Sequence, residues 1–127
     1  MSYQFLTNVI LSVPVRLGGT ESTETEGYIE VLGIDGQWGG VCDNGFDIHD
    51  AHVICKMLGY PTAIEALANG AADDLYGTAP SGSNFALDNL DCSGSESSIF
   101  DCPLSSELAD VCDASKIAGV KCAKSKI

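Results

Sequence analysis

Cations are scarce in this chain. Residues 1 to 115 hold only Arg16 and Lys56 against all eighteen acids, and the remaining basic residues, Lys116, Lys121, Lys124 and Lys126, fall in the last twelve positions. Neutralising a phosphate backbone needs a basic stripe, so nucleic acid and anionic lipid are excluded as partners of the main body. No apolar run approaches the roughly 18 residues of a membrane span, which argues against direct membrane insertion. The N-terminal stretch SYQFLTNVILSV lacks a basic leading region and is interrupted by Asn8, so it reads as a lead-in from a longer secreted chain rather than a signal peptide. No two cysteines lie closer than ten residues and no CxxC occurs, which removes the tight turn that presents two zinc ligands together. A GxSxG elbow, a glycine-rich phosphate loop and an Asn-x-Ser/Thr acceptor are also missing. Only nine aromatics accompany fourteen glycines, as expected of a loop-rich fold whose apolar burial leaves little net stability.

Covalent staples answer that shortage. Six cysteines, at 42, 55, 92, 102, 112 and 122, make an even number and predict a disulfide framework in an oxidising, extracellular compartment. Buried free thiols and a metal site stand as the alternatives. At 127 residues with 45% hydrophobic content, the chain is the size of one domain with one modest core. Its net charge of −12 favours cationic partners or divalent ions, or serves only to keep an extracellular protein soluble.

In chain order, Val9, Leu11, Val13, Val15 and Leu17 alternate as in a half-buried strand, and Pro14 restricts that strand to an edge. Tyr28 to Leu32 is the clearest strand, with Tyr28 and Glu30 on one face and Ile29 and Val31 on the other. Asp35-Gly36 predicts a hairpin turn, with Gln37 to Cys42 returning. Trp38 beside Gly39 and Gly40 reads as a core tryptophan where another element, such as a helix, approaches the sheet. Asp47 is a good N-cap with Asp50 three residues on, and Ile48, Ala51, Ile54, Cys55 and Leu58 form an apolar stripe, so a helix is predicted over about 48–58 with Cys55 inward. His49 and His52 sit three apart on it and read as exposed helix histidines. Thr62 to Ala68 has a helical composition. Asn69 to Asn84, rich in Gly, Ala, Ser and Asp, predicts a long surface loop of the kind that carries recognition. Phe85 to Leu90 predicts a short strand, Ser95 to Phe100 a helical turn capped by Ser95 with Ile99 and Phe100 inward, and Ala118 to Cys122 a closing strand.

The runs GQWGGVCDNGFDIHDAHVICKMLGY (36–60) and LDNLDCSGSESSIFDC (87–102), with Cys112 and AGVKC (118–122), resemble the scavenger receptor cysteine-rich domain. The cysteine count matches its six-cysteine group A. The eight-cysteine group would add one ahead of YIEVL and another at Tyr60. The resemblance implies an α+β fold, a curved antiparallel β-sheet cradling one main α-helix with long loops. It places the domain at 14–122, between a lead-in or linker at 1–13 and a basic tail at 123–127. Of fifteen possible pairings it selects Cys42 with Cys112, Cys55 with Cys122, and Cys92 with Cys102.

Many domains of this family hold a divalent cation on two acids after the first of these cysteines and on the Glu of an EDAG motif. The matching positions here are Asp43, Asn44 and Lys116, since CDD has become CDN and EDAG has become KIAG. A degenerate site with Lys116 in place of a carboxylate is therefore expected, with a salt bridge from Lys116 to Asp43 or a lysine turned to solvent. Weak calcium is the one cofactor left open. A second family site would use Asp88, but the asparagine that completes it is Val111 here, which favours a structural Asp88. YIEVLGIDGQW stands where some members carry RVEVL and a tryptophan in a bacteria-binding strand, and Tyr28 has replaced the arginine. Tyr28, Glu30, Asp73 and Asp74 are the remaining ligand-binding candidates.

The resulting expectation is a non-enzymatic recognition module of a scavenger-receptor-like or secreted multidomain protein. Its partners would be protein or microbial-surface ligands, with other domains of the same chain as neighbours. A structural interaction module with no soluble ligand is the alternative. A hydrolytic carboxylate pair is a distant third, since nothing in the sequence singles out two acids.

Overall fold

The structure is a computed structural model that describes residues 13–33, 36–77, 85–87, 90–103, 112 and 114–124. Its centre is β2 (Glu26–Leu32), whose alternation sends Ile29 and Val31 to one face and Tyr28 and Glu30 to the other. One edge of β2 is taken by β1 (Val15–Gly18). The opposite edge is shared by β3 (Trp38–Val41), against its C-terminal half, and β6 (Gly119–Cys122), against its N-terminal half. These pairings are antiparallel. β4 (Ala63–Leu67) adds antiparallel to β6, and β5 (Phe85–Leu87) adds parallel to β3, giving the order β4-β6-β2-β3-β5 with β1 off that path. Register shifts at Gly40/Val41 and Ala63/Glu65 increase the local twist and curve the sheet. The fold is α+β, with one main helix on this sheet.

That helix, α1 (Ile48–Met57), forms because its start is capped twice over. The Asp47 carboxylate accepts from the His49 and Asp50 N–H groups, while Asp50 reaches back to the Asp47 N–H at 2.9 Å. Ala51, Val53, Ile54 and Cys55 pack against Val15, Ile29, Val31, Val41 and Val120, with Leu87, Leu90 and Ile99 closing the same core. Each fully buried aliphatic side chain stabilises the fold by about 1.5–3 kcal/mol. Cys55 is bonded to Cys122 of β6, Cys42 to Cys112, and Cys92 to Cys102. Separations of 70 and 67 residues give the first two larger entropic effects, about 4 kcal/mol each, than the ten-residue bridge at roughly 2.7.

Several elements differ from what local pattern predicts. Residues 63–67, of helical composition, form strand β4, because the open edge of β6 offers a hydrogen-bonding partner that a propensity of a few tenths of a kcal/mol does not outweigh. His52 is half-buried rather than exposed, and its Nδ1 accepts the Ala63 N–H at 3.1 Å and lies 2.8 Å from Thr62 Oγ1, holding β4 to α1. The segment read as a long loop contains a short helix, α2 (Ala71–Tyr76); residues 78–84 lie outside the described residues. The helical turn near the third disulfide spans Ile99–Asp101 and is capped by Ser98, not Ser95. Ser95 instead closes a loop in which Glu96 collects the Ser93 and Gly94 N–H groups, and Phe100 is 49% exposed. What approaches Gly40 is the Ile117 and Phe85 side chains rather than a helix, since a Cβ there would lie 2.8 Å from Ile117 Cδ1.

Helix α2 covers the sheet face opposite α1. Tyr28, Leu67, Ala72, Tyr76 and Ile117 make a second, smaller core there. Gly119 permits this approach, for a Cβ at that position would sit 2.8 Å from the Ala72 Cβ. The Tyr76 hydroxyl donates to Glu26 at 2.9 Å, and burial together with that carboxylate pushes its pKa upward. No helix among the described residues is long and apolar enough to cross a membrane.

Candidate functional site

Strand β3 is followed by Cys42, which forms a β-bridge to Ile117, and the N–H of the next residue, Asp43, donates to the Lys116 carbonyl at 2.9 Å. That bond, with the Cys42–Cys112 disulfide beside it, fixes the 3-10 turn Ala114–Lys116 alongside the acidic turn. A third segment arrives through Asn69 and Gly70, both in the left-handed region at φ 58° and 85°. Asparagine and glycine are the residues that tolerate this conformation, and the reversal points the Gly70 N–H at Asp43 Oδ2, 3.1 Å away. Helix α2 starts directly after it, so its first turn sets Asp73 and Asp74 facing the same space. The result is an open cavity of about 510 Å³ lined by Asp43, Asn44, Asn69, Gly70, Asp73, Asp74, Ser115 and Lys116.

Asp43 is 6% exposed, and Asp73 Oδ1 is buried without a hydrogen-bond donor among the described residues. A buried acceptor left unpaired costs about 1–3 kcal/mol, so Asp73 is held in place at some expense to the stability of the fold. Lys116 is exposed and joins none of the three ion pairs among the described residues, so of the two expected placements, a bridge to Asp43 or a lysine turned to solvent, the second is the one found.

The donor set does not fit a divalent cation. Asp43, Asn44 and Lys116 carry −1, 0 and +1 where the family pattern carries three carboxylates. Among the described residues Asp43, Asp73 and Asp74 do not bring one oxygen apiece within 4.8 Å of each other, whereas calcium takes about 6–8 oxygens at about 2.3–2.6 Å. The one cluster that does converge is Cys92, Glu96 and Cys102, and its cysteines are consumed by their disulfide. There Glu96 is held down to about 2 by the Ser93 backbone N–H and its neighbours, as part of a closed loop.

The other candidates separate in space. Tyr28 is 6% exposed beneath α2 and is a core residue, which removes it as a ligand contact. Glu30 lies on the uncovered part of the sheet face, where it accepts from Arg16 Nε at 2.8 Å, and the Arg16 guanidinium stacks 4.1 Å from the Trp38 ring centroid. Trp38 is therefore a half-buried platform rather than a core residue. The guanidinium missing at position 28 is supplied to that face by β1. Asp88 lies outside the described residues. Asn69, Gly70 and Ser115 were not legible as site residues; the Asn69-Gly70 pair, a turn signal immediately before two acids, was the one available clue.

The six-strand sheet with one main helix and three disulfides has counterparts among known proteins. The family model for the scavenger receptor cysteine-rich domain matches residues 18–123, and the chain belongs to that family. It is similar to the third such domain of murine neurotrypsin, with a TM-score of 0.73 and 34% identity over 86% of this chain and 94% of that one. The corresponding domain of mouse MARCO, solved in a dimeric form, gives a TM-score of 0.63 and 32% identity over 92% and 96% of the two chains. Among curated proteins, lysyl oxidase homolog 2 of Mus musculus is 37% identical over 93% of this chain, and galectin-3-binding protein of Rattus norvegicus is 35% identical over 96%. This chain spans only 14% and 21% of those two proteins. Domains of this family are protein-interaction modules of extracellular or receptor-like multidomain proteins. The three disulfides agree with that oxidising environment.

Proposed function

We propose that this domain is a non-enzymatic recognition module that engages a protein or microbial-surface ligand through the cavity between Asp43, Asp73 and Lys116. The observation that carries this reading is the convergence of three acids from two distant segments on one open cavity, one of their oxygens buried without a donor. A basic group of a partner would pair with the carboxylates that line the cavity and gain from the acidic field around them. The acidic surface also turns away nucleic acid and anionic membrane.

The test is a binding assay of the immobilised domain against bacterial cells and an array of extracellular proteins, at low and high salt. Ligands that bind should lose about tenfold or more in affinity to the Asp73→Asn/Asp74→Asn variant. Equal binding by variant and parent would refute the cavity as the site. A second reading, an interaction module that contacts other chains or domains, is supported by the partly exposed Arg16–Trp38–Glu30 face and by the dimeric form of the MARCO domain. Sedimentation of the parent and of Trp38→Ala separates the two, since self-association through this face would be lost in the variant.

A further inference from the structure

The cavity departs from the cation site that the family implies, and we infer that it works without a metal, the Lys116 ammonium supplying the positive charge that a bound ion would otherwise present to a ligand. This rests on the reading of the cavity as the recognition site.

Three observations converge on it. At the three positions in question the charges are those of Asp43, Asn44 and Lys116, which cancel, so these positions no longer supply the concentrated negative charge that a divalent ion needs as ligands. One Asp43 oxygen is already committed to the Gly70 N–H, and Asp43, Asp73 and Asp74 do not together bring one oxygen apiece within 4.8 Å of each other. Lys116 is held at the rim by its own backbone, whose carbonyl accepts the Asp43 N–H, while its exposed side chain is engaged by no carboxylate among the described residues. An ammonium so placed offers three N–H donors to an anionic group of a ligand, and the acids that line the cavity with it, Asp43, Asp73 and Asp74, offer acceptors to a cationic one. The cavity is thus equipped for a surface that carries both signs of charge, such as a salt-bridged patch on a protein. A metal-dependent site would favour an anionic group alone. Asp73 and Asp74 keep the cavity negative overall, but a diffuse field attracts ions without a saturable site and is screened by salt.

The experiment is a calcium titration of the whole domain by calorimetry, with thermal melts in calcium and in chelator. The parent should show no saturable heat up to about 1 mM calcium, the weak end of the range for extracellular modules, and the same melting temperature in both media. The Asn44→Asp/Lys116→Glu variant restores the carboxylates and should gain a saturable site and a calcium-dependent rise in melting temperature; its melt in chelator establishes that it is folded. Lys116→Ala alone should show little or no gain. Saturable binding by the parent that Asp43→Asn abolishes would overturn the inference. Absence of binding by the folded double variant would overturn the assignment of the exclusion to positions 44 and 116. Because the titration contains only the ion, its outcome is independent of whether any ligand is captured by the cavity.

Discussion

Two acids near the ends of the same stretch of chain have opposite fates. Asp50 is fully buried, yet each oxygen has a backbone donor, the Asp47 N–H at 2.9 Å and the Cys92 N–H at 2.9 Å, so it joins the start of α1 to the loop of the third disulfide. Asp73 is less buried and lines an open cavity, yet its Oδ1 has no donor among the described residues. A carboxylate with all its partners inside the chain is part of the architecture, and one left short of a donor is not held there by what the fold gains from it. Burial alone does not distinguish them; the accounting of donors does.

The largest effects should come from the staples beside each acid. Replacing Cys42 and Cys112 by alanine, which releases the cavity rim, should cost about 4 kcal/mol of unfolding free energy, and replacing Cys92 and Cys102, beside Asp50, about 3, as read by urea melts. Equal losses would break the entropic reading of the two loops. Next, Asp50→Ala strands two N–H groups and removes the reciprocal half of the capping box, and should cost about 3 kcal/mol, whereas Asp73→Ala should leave stability within about 0.5 kcal/mol or raise it. A large loss at Asp73 would mean that the cavity acid is structural after all.

Smaller but more specific is the pH dependence. Burial, with the Asp47 carboxylate beside it, pushes Asp50 up to about 6 against the pull of its two N–H donors. The folded state therefore binds a proton that the unfolded chain releases, so this group's contribution is fully present below about pH 4 and is lost as pH rises through about 6, on the order of 2–3 kcal/mol. Glu96, lowered to about 2, acts with the opposite sign in a separate window, its contribution being lost as pH falls below about 4. Stability measured from pH 4 to 7 should thus fall more steeply for the parent than for Asp50→Asn. Parallel curves would show that Asp50 does not titrate in this range. A modest loss is expected at His52, where His52→Ala frees the Ala63 N–H and should cost about 1 kcal/mol by the same melts.

The comparison also shows why the two acids were unequally legible. Asp50 belongs to a capping pattern written within four residues, Asp47 to Asp50, and the apolar stripe after it confirms the helix locally. Asp73 and Asp74 were visible as an acidic pair, but nothing near them names Asp43 as a neighbour, because the two segments meet through a turn at Gly70 and a hydrogen bond spanning 27 residues. Tyr28 and Trp38 exchanged their expected places for a related reason. Alternation assigned Tyr28 to the face opposite Ile29, but only the docking of α2 determined that this end of the face is buried, and only β1 put Arg16 over Trp38.

By itself, then, the sequence determined the capped helix, the central strand, the disulfide-bearing extracellular class and the loss of carboxylates at 44 and 116, because each is encoded in residue type or in spacing of a few residues. The tertiary structure alone decided that 63–67 is a strand, that Tyr28 is core, and that Asp73, Asp74 and Lys116 share one cavity with Asp43. Those outcomes depend on which distant edges and faces satisfy one another's hydrogen bonds and apolar surface, and that competition is settled only when the whole chain packs.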